Sequence, residues 1–286
     1  GSTPIRDIRV PRGISSYRLE LDGYTTVERV LVATEVTLDT IYLPQAGEVP
    51  TDMVFVPTGY AVLPGTVGAA LRDSSGTIPP IEAFLIDRYE VTNQQYKEFV
   101  DAGGYENSSY WESRFELDGS VLPWSEAVKQ FVDQSGRFGP PAWLVGDYPS
   151  GDDDLPVQGI SWFEARAYAR FVDKDLPTYF HWHRAAEAQE ANYVVPTSSF
   201  GGDGPRAAGE AGGMTSFGAI GMAGNVREWT LNPSGNAHFI LGAAWDDPTY
   251  LFSQHYAESP WDRSNKNGLR LVRYSSEVDL AGLARP

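Results

Sequence analysis

Glycine and proline recur so often in this sequence that no long helix or strand can run uninterrupted. There are 29 glycines and 20 prolines among 286 residues, against ordinary usage of about 7% and 5%. Such a chain must hold long irregular segments in place, and it has the means in 8 Trp, 15 Tyr and 13 Phe. The reading is a loop-rich domain pinned by large rings, not a helical bundle. The 42% hydrophobic content suffices for a packed core. A formal net charge of −16 argues against nucleic acid, whose phosphates require clustered Lys and Arg, and against an anionic membrane surface. No apolar run approaches the roughly 18 residues of a membrane span, so no membrane insertion is expected. The chain has no cysteine. Disulfides, thiolate metal sites and cysteine nucleophiles are thereby excluded for this chain.

Local signals place the elements. Residues 5–46 read as β structure: Tyr17, Leu19 and Leu21 alternate with Arg18 and Glu20, Asp22-Gly23 marks a turn, and Val30 to Leu43 is rich in strand formers. The run after Pro44 is irregular, and residues 47–52 are taken as a linker. Val54 to Val56 and Ala61 to Leu63 are expected to pair as a short hairpin, and Phe84 to Tyr89 is a further strand. Thr92 caps a helix carrying Tyr96, Phe99 and Val100 and closed by Gly103-Gly104. A second helix is expected from Ser125 to Gln134. Ser161 and Glu164 form a capping box for a third, and Thr178 caps a fourth running to about Gln189. Short strands and Gly-rich turns follow. Trp162, Trp182 and Trp229 read as core plugs.

Five segments, in order, resemble the formylglycine-generating enzyme family, also called sulfatase-modifying factors. They are Asp87 to Phe99 (DRYEVTNQQYKEF), Pro156 to Tyr168 (PVQGISWFEARAY), Leu176 to Ala186 (LPTYFHWHRAA), Gly221 to Thr230 (GMAGNVREWT), and Leu241 to Trp245 with Gly268 to Arg273 (LGAAW…GLRLVR). The resemblance implies an α+β, C-type-lectin-like fold, preceded here by a small all-β N-terminal domain. The expected division is a partial β domain over 1–46, a linker over 47–52, the family-like domain over 53–276 and a tail over 277–286. Thr3 to Gly23 also resembles the latter part of a PEGA-like β domain. The whole is similar to family members fused behind bacterial Ser/Thr protein kinases. That likeness implies a kinase domain in the same parent chain and an extracytoplasmic position; no kinase motif occurs in the 286 residues.

The resemblance also bears on chemistry. Copper-dependent members oxidise a substrate cysteine through two thiolates, soft ligands suited to Cu(I). Read through LGAAW, the family serine falls on Ala244 and the two cysteines on Asp247 and Phe252, so no copper is expected. Iron oxygenases of the wider superfamily hold their metal largely through histidines of a separate domain. The four histidines here are His181, His183, His238 and His255, each read as a surface or satisfied core residue. His181 and His183 are two apart at a helix start and project to different faces. Calcium is the cofactor the resemblance allows, through the carbonyls of Gly224 and Val226 with Asn225 and Glu228, since hard oxygen ligands suit it.

The remaining signal is Trp245 to Arg263 (WDDPTYLFSQHYAESPWDR), where rings interleave with charge as on recognition surfaces. It is expected to be well ordered and to wall the main cleft, with Asp246, Asp247, Tyr250, His255, Asp262 and Arg263 as the ligand-binding set. A peptide, protein or glycan ligand is implied, cationic or neutral given the acidic balance. Two alternatives stand beside this binding or sensor module. One is an enzyme of unrecognised type in the same groove, which convergent desolvated carboxylates would favour. The other is a retroelement-diversified display protein of the same fold.

Overall fold

The computed structural model describes residues 13–33, 41–63, 80–112, 114–187, 190–275 and 280–284. The expected strand positions before Gly13 and over 34–40, and residues 277–279 and 285–286 of the tail, lie outside them. Two antiparallel strands open the described chain, β1 (Gly13–Leu19) and β2 (Val27–Ala33), paired from Gly13 opposite Ala33 to Leu19 opposite Val27. The alternation read in the sequence holds along β1, with Tyr17 and Leu19 half-buried and Arg18 exposed, but Leu21, expected on the inner face, lies past the strand's end and is exposed. The hairpin is tied to the body through β2. Arg29 is buried and donates to the carbonyls of Phe217 (2.8 Å) and Phe55 (3.2 Å), and Glu28 pairs with Arg88.

A three-stranded sheet joins the two ends of the larger unit. β3 (Met53–Val56) and β11 (Val272–Tyr274) flank β4 (Phe84–Asp87), both antiparallel to it. This corrects the expected hairpin: Val54 lies opposite Ile86, and residues 61–63 form no strand. Pairing with β4 sinks Val54, Val56, Phe84 and Ile86 together into one apolar cluster, a gain that sequence proximity cannot reveal.

Helix α1 (Asn93–Asp101) starts at Thr92, whose side chain accepts from Gln95 N while Gln95 returns the bond to the cap. Its buried face carries Tyr96 and Phe99. Gly104 follows because the Phe99 ring occupies the space a Cβ would need, 2.1 Å away. A small antiparallel hairpin of β5 (Phe115–Leu117) and β6 (Ser120–Leu122) follows. The expected helix over 125–134 is shorter, one turn over Trp124–Ala127 and a 3-10 turn over Val128–Gln130. The chain then leaves the helix, because Asp133 accepts from the backbone amides of Ser135, Arg137 and Gly146 and organises a loop instead. Helix α2 (Trp162–Phe171) has the capping box of Ser161 and Glu164. Helix α3 (Tyr179–Ala186) is capped by Thr178 and ends at Glu187 in the left-handed region, short of the expected Gln189.

Rings hold the layers together. One cluster gathers Tyr96, Phe99, Tyr105, Trp111, Phe131 and Trp229 around α1 and α2, with Trp111 stacked on Phe131 at 5.4 Å. The second packs α3 against the three-stranded sheet through Trp182, Met222, Leu241 and Phe252. A four-stranded sheet completes the fold: β7 (Arg227–Ser234), β8 (Ala237–Leu241), β9 (Tyr256–Glu258) and β10 (Asn267–Gly268), in the order β10-β7-β8-β9. β10 runs parallel to β7, the others antiparallel. The α+β class read from the sequence is the class found.

Ser161 Oγ accepts from Glu164 N at 3.2 Å, and Glu164 Oε2 accepts from Ser161 N at 3.0 Å. Ser161→Ala breaks the reciprocal cap of α2 and is expected to lower unfolding stability by about 1 kcal/mol. Urea denaturation measures this, and an unmoved midpoint would show the cap to be energetically idle.

Candidate functional site

Four segments meet at one buried guanidinium. Arg270, just before β11, is fully buried. Its Nε donates to Glu228 Oε1 (2.8 Å), Nη1 to the Asp87 carbonyl (2.9 Å) and Nη2 to the Ile220 carbonyl (2.7 Å). Glu90 Oε2 stands 3.4 Å from Nη2. The other Glu228 oxygen accepts from Trp182 Nε1 at 2.6 Å, which brings in α3. Asn225, at φ 61°, donates to Glu90 Oε1 (3.0 Å) and accepts from Arg206 N (2.7 Å). Gly221 lies against Glu90, where a Cβ would come within 2.5 Å of the carboxylate.

Two carboxylates thus share one cation. Glu228 has the shorter contact. Burial pushes Glu90 up to about 7, Arg270 opposing and Glu228 reinforcing the rise. Burial likewise raises Asp87 to about 6 against the pull of Lys174, whose Nζ lies 2.6 Å from Asp87 Oδ1.

The calcium expectation at Gly224, Asn225, Val226 and Glu228 meets this network directly. Calcium needs several oxygens free to face it. Both Glu228 oxygens are engaged by Arg270 and Trp182, the Asn225 amide oxygen by Arg206, and the Asn225 carbonyl by Trp245 N at 3.0 Å. A divalent ion at Glu228 would also stand against the Arg270 guanidinium. The residues present do not fit calcium, and Glu228 is a structural anchor.

The loop expected to bind ligand begins in a strained turn, with Gly242 at φ 97° and Ala243 at φ 65°. Asp247 Oδ2 accepts from Ala244 N at 2.9 Å and holds that turn. Expected at the surface, Asp247 is buried. Arg227 grips it with two bonds of 2.8 and 3.0 Å, and Lys266 adds a third at 2.9 Å. Burial alone would raise its pKa, but these bonds hold it below the usual carboxylate range. Phe252, on a 3-10 turn over Thr249–Ser253, is fully buried with its ring 6.1 Å from Trp182.

The remaining candidates divide between surface and interior. Tyr250 is 65% exposed, and Asp246 is exposed beside Lys266. His255 and Asp262 are half-buried, and Asp262 accepts from Asn267 Nδ2 at 2.7 Å. Arg263 is turned to interior work, donating to the carbonyls of Val132 (3.0 Å) and Gly139 (2.7 Å) and to buried Glu164 (3.0 Å). Trp261 stacks on Phe131 at 5.6 Å and donates to the Glu116 carbonyl. The loop is ordered by its rings as expected. Two cavities, of about 300 and about 120 Å³, lie against the N-terminal hairpin, and the loop lines neither of these. Trp245 and Phe252 of the loop are buried.

Sequence reasoning missed Arg270 and Glu90. Arg270 stands within the quoted GLRLVR, where its apolar neighbours were the available sign of burial. Nothing local to Glu90 marks it. The histidines were read as surface or satisfied core groups. His181 accords in part, with Nδ1 2.6 Å from Thr178 Oγ1. His183 does not: it is fully buried, and neither ring nitrogen has a hydrogen-bond partner among the described residues.

A family described as the sulfatase-modifying factor enzyme 1-like domain matches residues 42–275. The chain is 29% identical over 228 residues to hercynine oxygenase of Mycolicibacterium smegmatis, covering 72% of this chain and 48% of that protein. It is 29% identical over 239 residues to formylglycine-generating enzyme of Bos taurus, covering 73% and 60%. The chain therefore spans about half the length of the hercynine oxygenase it matches. Among solved structures, PvdO from Pseudomonas aeruginosa aligns with a TM-score of 0.50 at 17% identity, over 78% of this chain and 94% of that one, a likeness of fold.

Two measurements probe the site's construction. Glu90 is raised from an ordinary value of 4.5 to about 7. Between those pH values the folded chain keeps a proton that the unfolded chain has released, so stability falls as pH rises through the window. Glu90→Gln is expected to flatten that fall in urea titrations from pH 4.5 to 8, and parallel slopes would show Glu90 to titrate normally. Ala243, at φ 65°, pays the left-handed penalty that glycine avoids. Ala243→Gly is expected to raise stability by about 1 kcal/mol; a lower melting temperature would mean the turn is unstrained.

Proposed function

The chain belongs to the family of sulfatase-modifying factor enzyme 1-like domains, and from that premise we propose that it is a ligand-binding or sensor module without the family's copper-dependent cysteine oxidation. The observation that carries this reading is the use made of the two positions where the family resemblance puts thiolates. Asp247 is spent on Arg227, Lys266 and the Ala244 amide. Phe252 is spent on the core beside Trp182. The chain has no cysteine anywhere, and a carboxylate and a phenyl ring do not hold Cu(I).

The ligand-facing surface is what the loop leaves outside: Asp246 and Tyr250, bordered by half-buried His255, Glu258 and Asp262. With the net charge of −16, this surface suits a basic or neutral polar peptide, protein or glycan. The desolvated carboxylates that would favour an enzyme are each engaged within the protein, Glu228 by Arg270 and Trp182, Glu90 by Arg270 and Asn225 and Asp87 by Lys174, which supports binding over catalysis. The hairpin of β1 and β2, ahead of the family match that begins at residue 42, supports reading the N-terminal segment as the end of a PEGA-like β domain. On that reading the chain is the non-kinase portion of a bacterial Ser/Thr kinase fusion, displayed outside the cytoplasm. No described helix is long and apolar enough to cross a membrane.

Incubation with a CxPxR peptide, with and without added copper, is expected to leave the thiol mass unchanged by mass spectrometry. Turnover of the cysteine to an aldehyde would overturn the proposal. On arrays of basic peptides and glycans, Tyr250→Ala and Asp246→Ala are expected to weaken the captured ligand at least tenfold with unchanged melting. Equal binding by both variants would move the ligand surface elsewhere.

A further inference from the structure

We propose that the turn at Leu144-Val145 is a second recognition surface, made for a cationic protein segment that carries apolar side chains. Leu144 and Asp147 close a two-residue hairpin: Leu144 N donates to the Asp147 carbonyl (2.8 Å) and Asp147 N to the Leu144 carbonyl (3.2 Å). The two residues between them, Val145 and Gly146, lie at φ 60° and φ 75°. A hairpin turn with both central residues left-handed ordinarily carries Asn-Gly or Asp-Gly. Valine, branched at Cβ, is among the residues least suited to that conformation.

Strain of this kind persists only where the surroundings over-determine it, and it gathers at functional sites. The surroundings here do so. Ser135 Oγ accepts from Val145 N (3.1 Å), Asp133 Oδ2 accepts from Gly146 N (2.6 Å), and Arg137 Nη1 donates to the Val145 carbonyl (3.3 Å). Below the tip, Trp143 is buried with its ring 5.4 Å from that of Tyr148. The backbone of the turn is thus satisfied from within, and what is turned out is apolar: Leu144 is 59% exposed and Val145 52%. One exposed aliphatic residue would need no account. Two adjacent ones on a strained, braced turn do, because half or more of each is left in water. A rigid apolar tip loses little freedom on docking, which is the property of an interface anchor.

Charge around the tip selects the partner. Asp147 and Asp153 are exposed, and Tyr148 binds both, its N donating to Asp147 Oδ1 (3.0 Å) and its hydroxyl to Asp153 Oδ1 (3.1 Å). Partial burial raises the Tyr148 phenol above its ordinary value, and the bond to Asp153 with the charges of Asp153, Asp147 and Asp101 pushes the same way. Three carboxylates therefore act on one ring beside the turn. Such a rim repels nucleic acid and an anionic membrane. It attracts Lys or Arg placed on either side of the apolar groups that meet Leu144 and Val145. This surface uses none of the residues of the loop surface proposed for ligands, so mutation separates the two.

The test is selection of a displayed library of random dodecapeptides on the immobilised full chain, followed by affinity measurement with the selected peptides. Peptides that interleave Lys or Arg with apolar residues are expected. Leu144→Ser and Val145→Asn should each weaken them at least tenfold, while Tyr250→Ala should bind as the parent does. Asp147→Asn, which keeps an acceptor for Tyr148 N, should reduce the loss of affinity with added salt. Val145→Asn should also melt about 2–4 °C higher, since it relieves the turn, so its loss of binding cannot come from unfolding. Peptides weakened by Tyr250→Ala and not by Leu144→Ser belong to the loop surface, and a selection that yields only these would overturn the proposal. Failure to enrich cationic peptides, or Leu144-dependent binding to phosphatidylglycerol vesicles in their place, would overturn it as well.

Discussion

The fold depends on how one buried cation is satisfied. Arg270 gives its guanidinium donors to the carbonyls of Asp87 and Ile220 and to Glu228, with Glu90 alongside. These residues come from the end of β4, the turn before α1, the loop at 220 and the start of β7. Removing one partner of such a group leaves an uncompensated buried charge, at about 3–5 kcal/mol. The arrangement therefore fixes relative position more than it adds net stability. The parallel pairing of β10 with β7 lies directly beside it. Trp182, through its bond to Glu228, carries the same constraint into α3.

Around that centre the chain is ordered by rings more than by regular structure. Trp111, Phe131 and Trp261 stack in succession, and Arg263 threads its guanidinium onto carbonyls of the same region. Each ring that packs inward removes apolar area from water and offsets the entropy of a loop residue held still. The consequence for function is economy of exposed surface. The segment from 245 to 263 looks in sequence like a long recognition loop, yet most of its large groups face the interior. What faces out includes the Asp246 carboxylate and the Tyr250 ring.

Asp247 braces the start of the 245–263 segment: it takes the Ala244 amide of the preceding turn and the two cations Arg227 and Lys266. The neighbouring Phe252 adds to the apolar cluster that includes Trp182 of α3.

The amino-acid sequence by itself determined the features that act within a few residues: the capping boxes at Thr92 and Ser161, the alternation along β1, the buried character of Trp182 and Trp229, and the absence of any thiol. The ordered family segments determined the fold class, because each is a local packing unit. Only the tertiary structure decided that Val54 pairs with Ile86 and not with its neighbours near residue 61. It alone decided that Glu90 and Glu228 compete for Arg270, that Asp247 turns inward, and that Tyr179 packs against both His183 and Phe239. The physical reason is range. A cap or an alternation is satisfied by atoms three or four residues away, whereas a buried charge or imidazole takes its partners from whichever distant segments the packing brings beside it.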